Sequence, residues 1–239
     1  MPQWAHPSLP KVPMHRAYGI SGRRSTGVMK TNKDYVRQGS VYTVRVPYVC
    51  GSCNSGWMGD FEEAVRPAFE RMIRGESTFL PLEMRQALAK YLTYKMLLLD
   101  WIDRDPALPA EWGHEFYKNR TIPEGTKIWL FRCIEGKWLT DIHTYGCGLT
   151  LDDDPDALSE LPINTKSFAV GFGELLVFAV LSSQVDLNID FDPMVSAKLW
   201  PFEPKLMRWP PRAPLGSDQA EFISTSLWRV GESPNINLK

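Results

Sequence analysis

The spacing of apolar residues changes along the chain and predicts two helices in its first half. Apolar residues recur every three or four positions from Met58 to Ile73, which predicts an amphipathic helix from about Trp57 to Arg74. Pro67 is expected to distort or split that helix, because proline has no amide donor, and Gly75 is expected to end it. A second helix is predicted from Leu82 to about Ile102. Its predicted buried side chains are Met84, Ala87, Leu88, Tyr91, Leu92, Leu98, Leu99 and Ile102, with a stripe of Tyr91, Tyr94, Met96 and Trp101 that we also expect in the core.

The remaining apolar residues favour strands. A β-rich run, Val41 to Val49, precedes the first helix, while residues 1–40 and 106–123 show no sustained period. The runs Lys127–Cys133 and Lys137–Tyr145 flank the turn Glu135-Gly136 and predict a hairpin. Two further buried strands are predicted at Ser167–Phe172 and Leu175–Leu181, and a short helix at Asp218–Trp228.

These elements predict an α+β fold: a strand, a cysteine-containing turn and a helix, then a second helix and a mainly antiparallel β region. We expect the first region to span residues 1–104 and the mainly β region residues 105–239, as two domains or packed together as one. The length of 239 residues is enough for a substantial core in either case.

Composition limits the class of protein. An apolar content of 44% and a charged content of 23% are typical of soluble globular proteins, and no apolar run reaches the length that spans a bilayer. The first residues lack the charged start and apolar core of a secretory signal. Four cysteines are too few for a disulfide scaffold. We therefore expect a cytoplasmic protein with reduced or metal-bound thiols and no membrane partner.

The charge is unevenly distributed. The whole chain has a net charge of −1, but residues 11–45 carry eight basic residues and one acid, Asp34, a net +7. A concentrated basic segment suits contact with phosphates, although a solvated basic loop explains the same pattern. The predicted nucleic-acid contacts are Arg23, Arg24, Lys30, Lys33, Arg37 and Arg45.

Candidate chemistry centres on Cys50-Gly-Ser-Cys53-Asn54. Two cysteines separated by two residues on a tight turn can place both thiolates on one Zn²⁺. The alternative is an ordinary turn with two small, half-buried thiols. Cys133 and Cys147 complete a four-sulfur site only if the β region folds back onto this turn, and buried free thiols are the explanation we favour for them.

The run Cys50-Gly-Ser-Cys-Asn-Ser-Gly-Trp-Met-Gly-Asp-Phe-Glu resembles the second zinc knuckle of the HNH endonuclease family, in its ββα-metal branch. The resemblance implies that Asn54 is the middle residue of the catalytic motif, and that Glu62 or Glu63 is the helix residue able to complete the shell of a catalytic Mg²⁺ or other divalent ion. Acidic residues in the first turns of a helix also have a simpler explanation, since they stabilise the helix dipole.

The chain departs from the family pattern at its start. Family members carry a first cysteine pair and a Glu-His-x-x-Pro-x-Trp segment, and Met1-Pro-Gln-Trp4 resembles only the end of that segment. The resemblance therefore implies a start downstream of the ancestral one, without the general base, one metal ligand and half of the zinc site. His6 and His15 lie nearby but lack the family spacing.

Three functions remain open from the sequence. The first is a degenerate HNH-like protein that binds nucleic acid or a nucleoprotein complex, for example as a phage or mobile-element inhibitor or accessory factor. The second is an active metal-dependent DNA endonuclease, either with His6 or His15 recruited or with a sequence that is truncated at its start. The third is a structural or interaction protein with a protein partner.

Overall fold

The computed structural model contains one large sheet with helices packed against it. The model describes the backbone of residues 14–21, 35–38 and 236–238, and both backbone and side chains of residues 49–103, 106–135, 142–149, 162–183 and 187–226. The chain has an α+β fold, as its sequence predicts, with a mainly antiparallel sheet.

The helices lie mostly in the first half of the described chain. Their bounds are α1 Gly51–Ser55, α2 Trp57–Ile73, α3 Leu82–Trp101, α4 Ala110–Asn119 and α5 Ser217–Ser224. The predicted positions of α2, α3 and α5 are confirmed within a few residues. The interval 106–123 is not irregular, however, because α4 occupies most of it.

Two details of the helices differ from the predictions, and a third agrees with them. Pro67 lies inside α2 without splitting it. The apolar face of this helix packs against α3 and the sheet, which outweighs one missing backbone hydrogen bond. Trp101 and Ile102 were expected in the core, but they are 57% and 36% exposed, at the C-terminal end of α3. Gly75 ends the first helix as predicted, with φ of +68°.

The strands form one seven-stranded sheet and two small pairs. Their bounds are β1 Met14–Ser21, β2 Tyr35–Gln38, β3 Thr78–Leu80, β4 Thr126–Arg132, β5 Ile142–Cys147, β6 Thr165–Phe172, β7 Leu175–Ser182, β8 Leu187–Ile189, β9 Ser196–Trp200, β10 Met207–Trp209 and β11 Ile236–Leu238. The large sheet has the order β2-β1-β5-β6-β7-β4-β9, and β3 pairs with β10 and β8 with β11. Within the large sheet only β1 and β5 run parallel.

The predicted hairpin between the two strands around Glu135-Gly136 is wrong. β4 pairs with β7 and β9, whereas β5 pairs with β1 and β6. The hairpin that does form joins β6 to β7, at the two buried strands that the sequence predicted. β1 and β2 were missed, since residues 1–40 show no sustained period. The predicted strand Val41–Val49 lies outside the described residues except for Val49, which is in a bend.

The large sheet has two apolar faces because side chains alternate along each strand. On β4, Ile128 and Leu130 contact the cluster formed with α2 and α3, while Trp129 and Phe131 contact a second cluster. That second cluster also contains Phe191 and the buried side chains of α5. The face packed against α2 and α3 positions the cysteine turn, because α2 begins directly after it.

Candidate functional site

The two cysteines predicted to bind metal lie on one helical turn, which we call the knuckle (residues 50–56). Cys50 has extended backbone angles and caps α1, and the backbone N–H of Cys53 donates to its Sγ over 3.3 Å. A side chain at Gly56 would place its Cβ 2.6 Å from the carbonyl oxygen of Ser52. Only glycine therefore allows α1 to pass directly into α2 at this point.

The two thiols are free and have different electrostatic environments. Cys50 is exposed, and the hydroxyl of Ser52 lies 3.2 Å from its sulfur. Hydrogen bonds lower the pKa of Cys50 to about 7, and the bond with Ser52 has a larger effect than the bonds with Cys53. The hydrogen bond between the two thiols raises the pKa of Cys53, and burial raises it further. Cys50 is thus the thiol that first reaches the thiolate form that binds metals.

A cluster of aromatic rings begins directly after the knuckle, at Trp57. The Trp57 ring packs edge-to-face against Phe61 and Tyr94, at centroid distances of 5.9 and 5.5 Å. Phe116 of α4 lies 6.2 Å from the same ring. Because these rings come from α2, α3 and α4, the residue directly after the knuckle lies where three helices meet.

Arg120 also reaches this region. It follows α4 with φ of +56°, and its guanidinium carbon lies 4.0 Å from the centre of the Trp57 ring and 5.4 Å from that of Tyr117. Its positive charge lowers the pKa of Cys53 in opposition to the larger effects of the Cys50 thiol and of burial. The sequence-based prediction missed this arginine. The only signal is the basic and aromatic run Tyr117-Lys-Asn-Arg120, which does not indicate contact with a turn more than sixty residues earlier.

Asn54, Glu62 and Glu63, the other predicted catalytic residues near the knuckle, differ in exposure and in hydrogen-bond partners. Asn54 is exposed, directly after the second cysteine. Glu62 accepts hydrogen bonds from Lys95 Nζ at 2.7 Å and from the Tyr94 hydroxyl at 3.3 Å. Glu63 is exposed, and its carboxylate lies 3.8 Å from Arg66. Both bonds are to Oε1, so a metal at Glu62 would have to use Oε2 or displace Lys95 from Oε1.

Cys133 and Cys147 do not join the knuckle. Both are buried in the second apolar cluster, with Trp129 and Phe131, whereas the Trp57 and Phe61 side chains below the knuckle pack against the first. Burial raises the pKa of the Cys133 thiol, which favours the neutral form. These two cysteines act as small apolar core residues.

The predicted nucleic-acid contacts lie mostly outside the described residues. This applies to Arg23, Arg24, Lys30, Lys33 and Arg45, and also to His6, the candidate catalytic histidine. The backbone is described for the strands that carry His15 and Arg37, and these two positions face each other in the β1–β2 ladder.

Two of the four ligands of a structural zinc site fit the knuckle. Cys50 and Cys53 are close enough for their thiols to interact, and the thiolate is the form that zinc binds. Within the described parts of the chain, no group of three or more His, Cys, Asp or Glu side chains is arranged to hold a metal ion. Zinc at Cys50 and Cys53 remains a prediction.

None of the helices described here combines the length and apolar character needed to cross a membrane. Comparison of the chain with protein-family models, with curated proteins and with solved structures found no match.

Proposed function

We propose that this chain is a nucleic-acid-binding protein built on an HNH-like knuckle and without an efficient nuclease centre. The observation that carries the proposal is the knuckle itself: two free, adjacent thiols on one turn, followed at once by exposed Asn54 and by α2. In the HNH-like motif, this order of residues places a zinc ligand pair beside the residue that holds the catalytic loop.

The charge distribution supports nucleic acid as the partner. The segment from Lys11 to Arg45 carries a net +7 and precedes the knuckle directly, whereas the chain as a whole is slightly acidic. Phosphate contacts by such a segment provide affinity that does not depend on base sequence. Four free thiols fit a reducing compartment such as the cytoplasm.

The surroundings of Glu62 favour binding over catalysis. Lys95 and Tyr94 both bond its Oε1 atom, and the charge of Lys95 offsets that of the carboxylate, which weakens its attraction for a divalent ion. An efficient nuclease of this type would also need a general base, and the segment from Cys50 to Glu63 contains no histidine to serve as one. Removal of a general base typically costs about two to four orders of magnitude in rate.

Binding to fluorescein-labelled oligonucleotides, measured by anisotropy at 50 and 200 mM salt, tests the proposal. We expect affinity to fall about 100-fold over this range if about four phosphates are contacted. Replacing Arg23 and Arg24 by alanine should weaken binding and reduce the salt dependence. The matched control replaces Arg71 and Arg74, two exposed arginines at the far end of α2, and should leave affinity unchanged.

A plasmid assay tests the absence of efficient cleavage. Supercoiled DNA incubated with the protein and Mg²⁺ or Mn²⁺ should remain uncut. Metal-dependent nicking that disappears in Asn54→Ala would instead identify an active endonuclease. Affinity that is independent of salt, or no binding at all, would contradict nucleic-acid binding itself.

A further inference from the structure

Tyr117 and Arg120 form a pair beside the knuckle, in which Tyr117 is exposed and Arg120 is partly buried, and neither belongs to the predicted site. Tyr117 is 54% exposed at the end of α4, although its ring is anchored 6.3 Å from that of Trp57. The guanidinium of Arg120 lies against both rings. An aromatic ring that is fixed in place and still half open to solvent can stack a further planar group.

The position of Arg120 is set by the backbone. Its left-handed conformation ends α4, and its backbone N–H donates to the carbonyl oxygen of Phe116 over 2.9 Å. One guanidinium nitrogen, Nη1, donates to the same oxygen over 3.1 Å. The side chain is therefore held against the rings before any ligand arrives, which lowers the entropy cost of binding.

The charge of Arg120 is not neutralised in the described parts of the chain. Arg66, Arg74 and Arg132 each have a carboxylate oxygen within 3 Å. No carboxylate lies within ion-pair distance of Arg120 among the described residues, and a guanidinium has five N–H donors, of which one bonds Phe116. The remaining donors suit an anion such as phosphate.

We propose that Tyr117 and Arg120 form a binding site for single-stranded nucleic acid, in which a base stacks on Tyr117 and a phosphate contacts Arg120. This inference rests on the proposed function and adds the class of nucleic acid to it. An unpaired base offers a free face to an exposed ring, whereas the bases of a duplex are stacked on each other. The basic residues between Lys11 and Arg45 add general phosphate contacts that both forms of nucleic acid can use.

Anisotropy measurements with the full chain test this site, using a fluorescein-labelled 15-nucleotide oligothymidine and a 15-base-pair duplex. We expect Tyr117→Ala to weaken binding of the single strand about tenfold, the magnitude typical of one stacked base, and to leave the duplex unchanged. Tyr117→Phe should bind the single strand normally, because it retains the ring. Arg120→Gln should weaken binding and lower the salt slope by about 0.7, the value for one phosphate of a single strand.

The matched control is a second aromatic and arginine pair. Phe79 is 65% exposed, and the guanidinium of Arg208 lies 6.0 Å from its ring, but this pair is on the β3–β10 ladder after the far end of α2. Phe79→Ala and Arg208→Gln should bind both ligands like the parent chain. Circular dichroism of each variant shows whether it is folded.

The outcomes separate this inference from the proposed function. If the parent chain binds neither ligand, the proposed function fails and this inference fails with it. If the parent chain binds but Tyr117→Ala and Arg120→Gln bind the single strand equally well, only the inference is overturned. It is also overturned if Tyr117→Ala weakens single-strand and duplex binding to the same extent, or if Phe79→Ala has the effect expected of Tyr117→Ala.

Discussion

Cys50 and Cys53 differ chemically although they lie on the same helical turn. Cys50 accepts a backbone N–H and has a hydroxyl beside it, whereas Cys53 is partly covered and donates towards its partner. Hydrogen bonds to a sulfur stabilise its thiolate form, and burial destabilises it. At neutral pH the thiolate form is therefore favoured at Cys50 over Cys53.

A pH titration of thiol alkylation checks this difference. In chelator-treated protein, the alkylation rate of Cys50 should rise as pH increases and level off above a midpoint of about 7, because a lowered pKa yields thiolate at lower pH. Cys53 should react only at higher pH, since its pKa is raised. Peptide mass spectrometry after brief alkylation distinguishes the two sites.

Ser52 provides the sharpest control for that titration. Ser52→Ala removes the hydrogen bond that lowers the pKa of Cys50 most. It should move the Cys50 midpoint upwards, towards that of an ordinary thiol. Ser55→Ala is the matched change, because its hydroxyl bonds the Gly51 carbonyl rather than a sulfur. Equal midpoints in the parent chain and Ser52→Ala would contradict the explanation.

The end of α2 and the β6–β7 turn hold each other in place. The N–H of Glu174 donates to the carbonyl oxygen of Ile73 over 2.8 Å, and the Glu174 carboxylate pairs with Arg132 at 2.7 Å. Gly173 has φ of +57°, and a Cβ there would lie 2.6 Å from the Ile73 oxygen. A side chain at this turn would separate the helix from the sheet.

Gly173→Ala should destabilise the protein by about 2–4 kcal/mol, because the left-handed conformation and the backbone clash both oppose a side chain. Urea unfolding followed by circular dichroism measures the change. Gly113→Ala is the control: a Cβ at this position in α4 meets no atom within 4 Å. It should stabilise the protein by up to about 1 kcal/mol through helix propensity. A loss below about 0.5 kcal/mol at Gly173 would show that the turn can move away from α2 at little cost.

At the scale of the whole molecule, β7 contributes to both apolar clusters. Leu181 packs on the face that carries α2 and α3, while Phe178 packs on the other face with Phe191. Because neighbouring residues of one strand stabilise opposite layers, the layers depend on the same backbone. We expect them to unfold together.

Core truncations on each face test this coupling. Leu181→Ala and Phe178→Ala should each cost about 2–5 kcal/mol and shift one common unfolding transition. The transition should coincide when it is followed by far-UV circular dichroism, which reports helices, and by tryptophan fluorescence. Phe222→Ala, at a 37% exposed side chain of α5, should shift it much less. Two separate transitions in Phe178→Ala would instead indicate independent units.

The sequence alone determined the elements whose signals are local. The helices α2 and α3 and the strands β6 and β7 follow from apolar spacing, and the end of α2 from Gly75, because each signal lies within the element that it defines. The α+β class follows from that succession of elements. The cysteine spacing likewise indicates a knuckle without reference to the rest of the chain.

Only the tertiary structure decided which elements meet. β4 pairs with β7 rather than with β5, although a turn signal favours the nearer strand, and both paired strands are buried along almost their whole length. Packing between elements that are distant in the sequence also places Arg120 against Trp57 and leaves Trp101 exposed. Contacts between distant residues depend on how all the layers pack, and the local pattern of residues does not predict that packing.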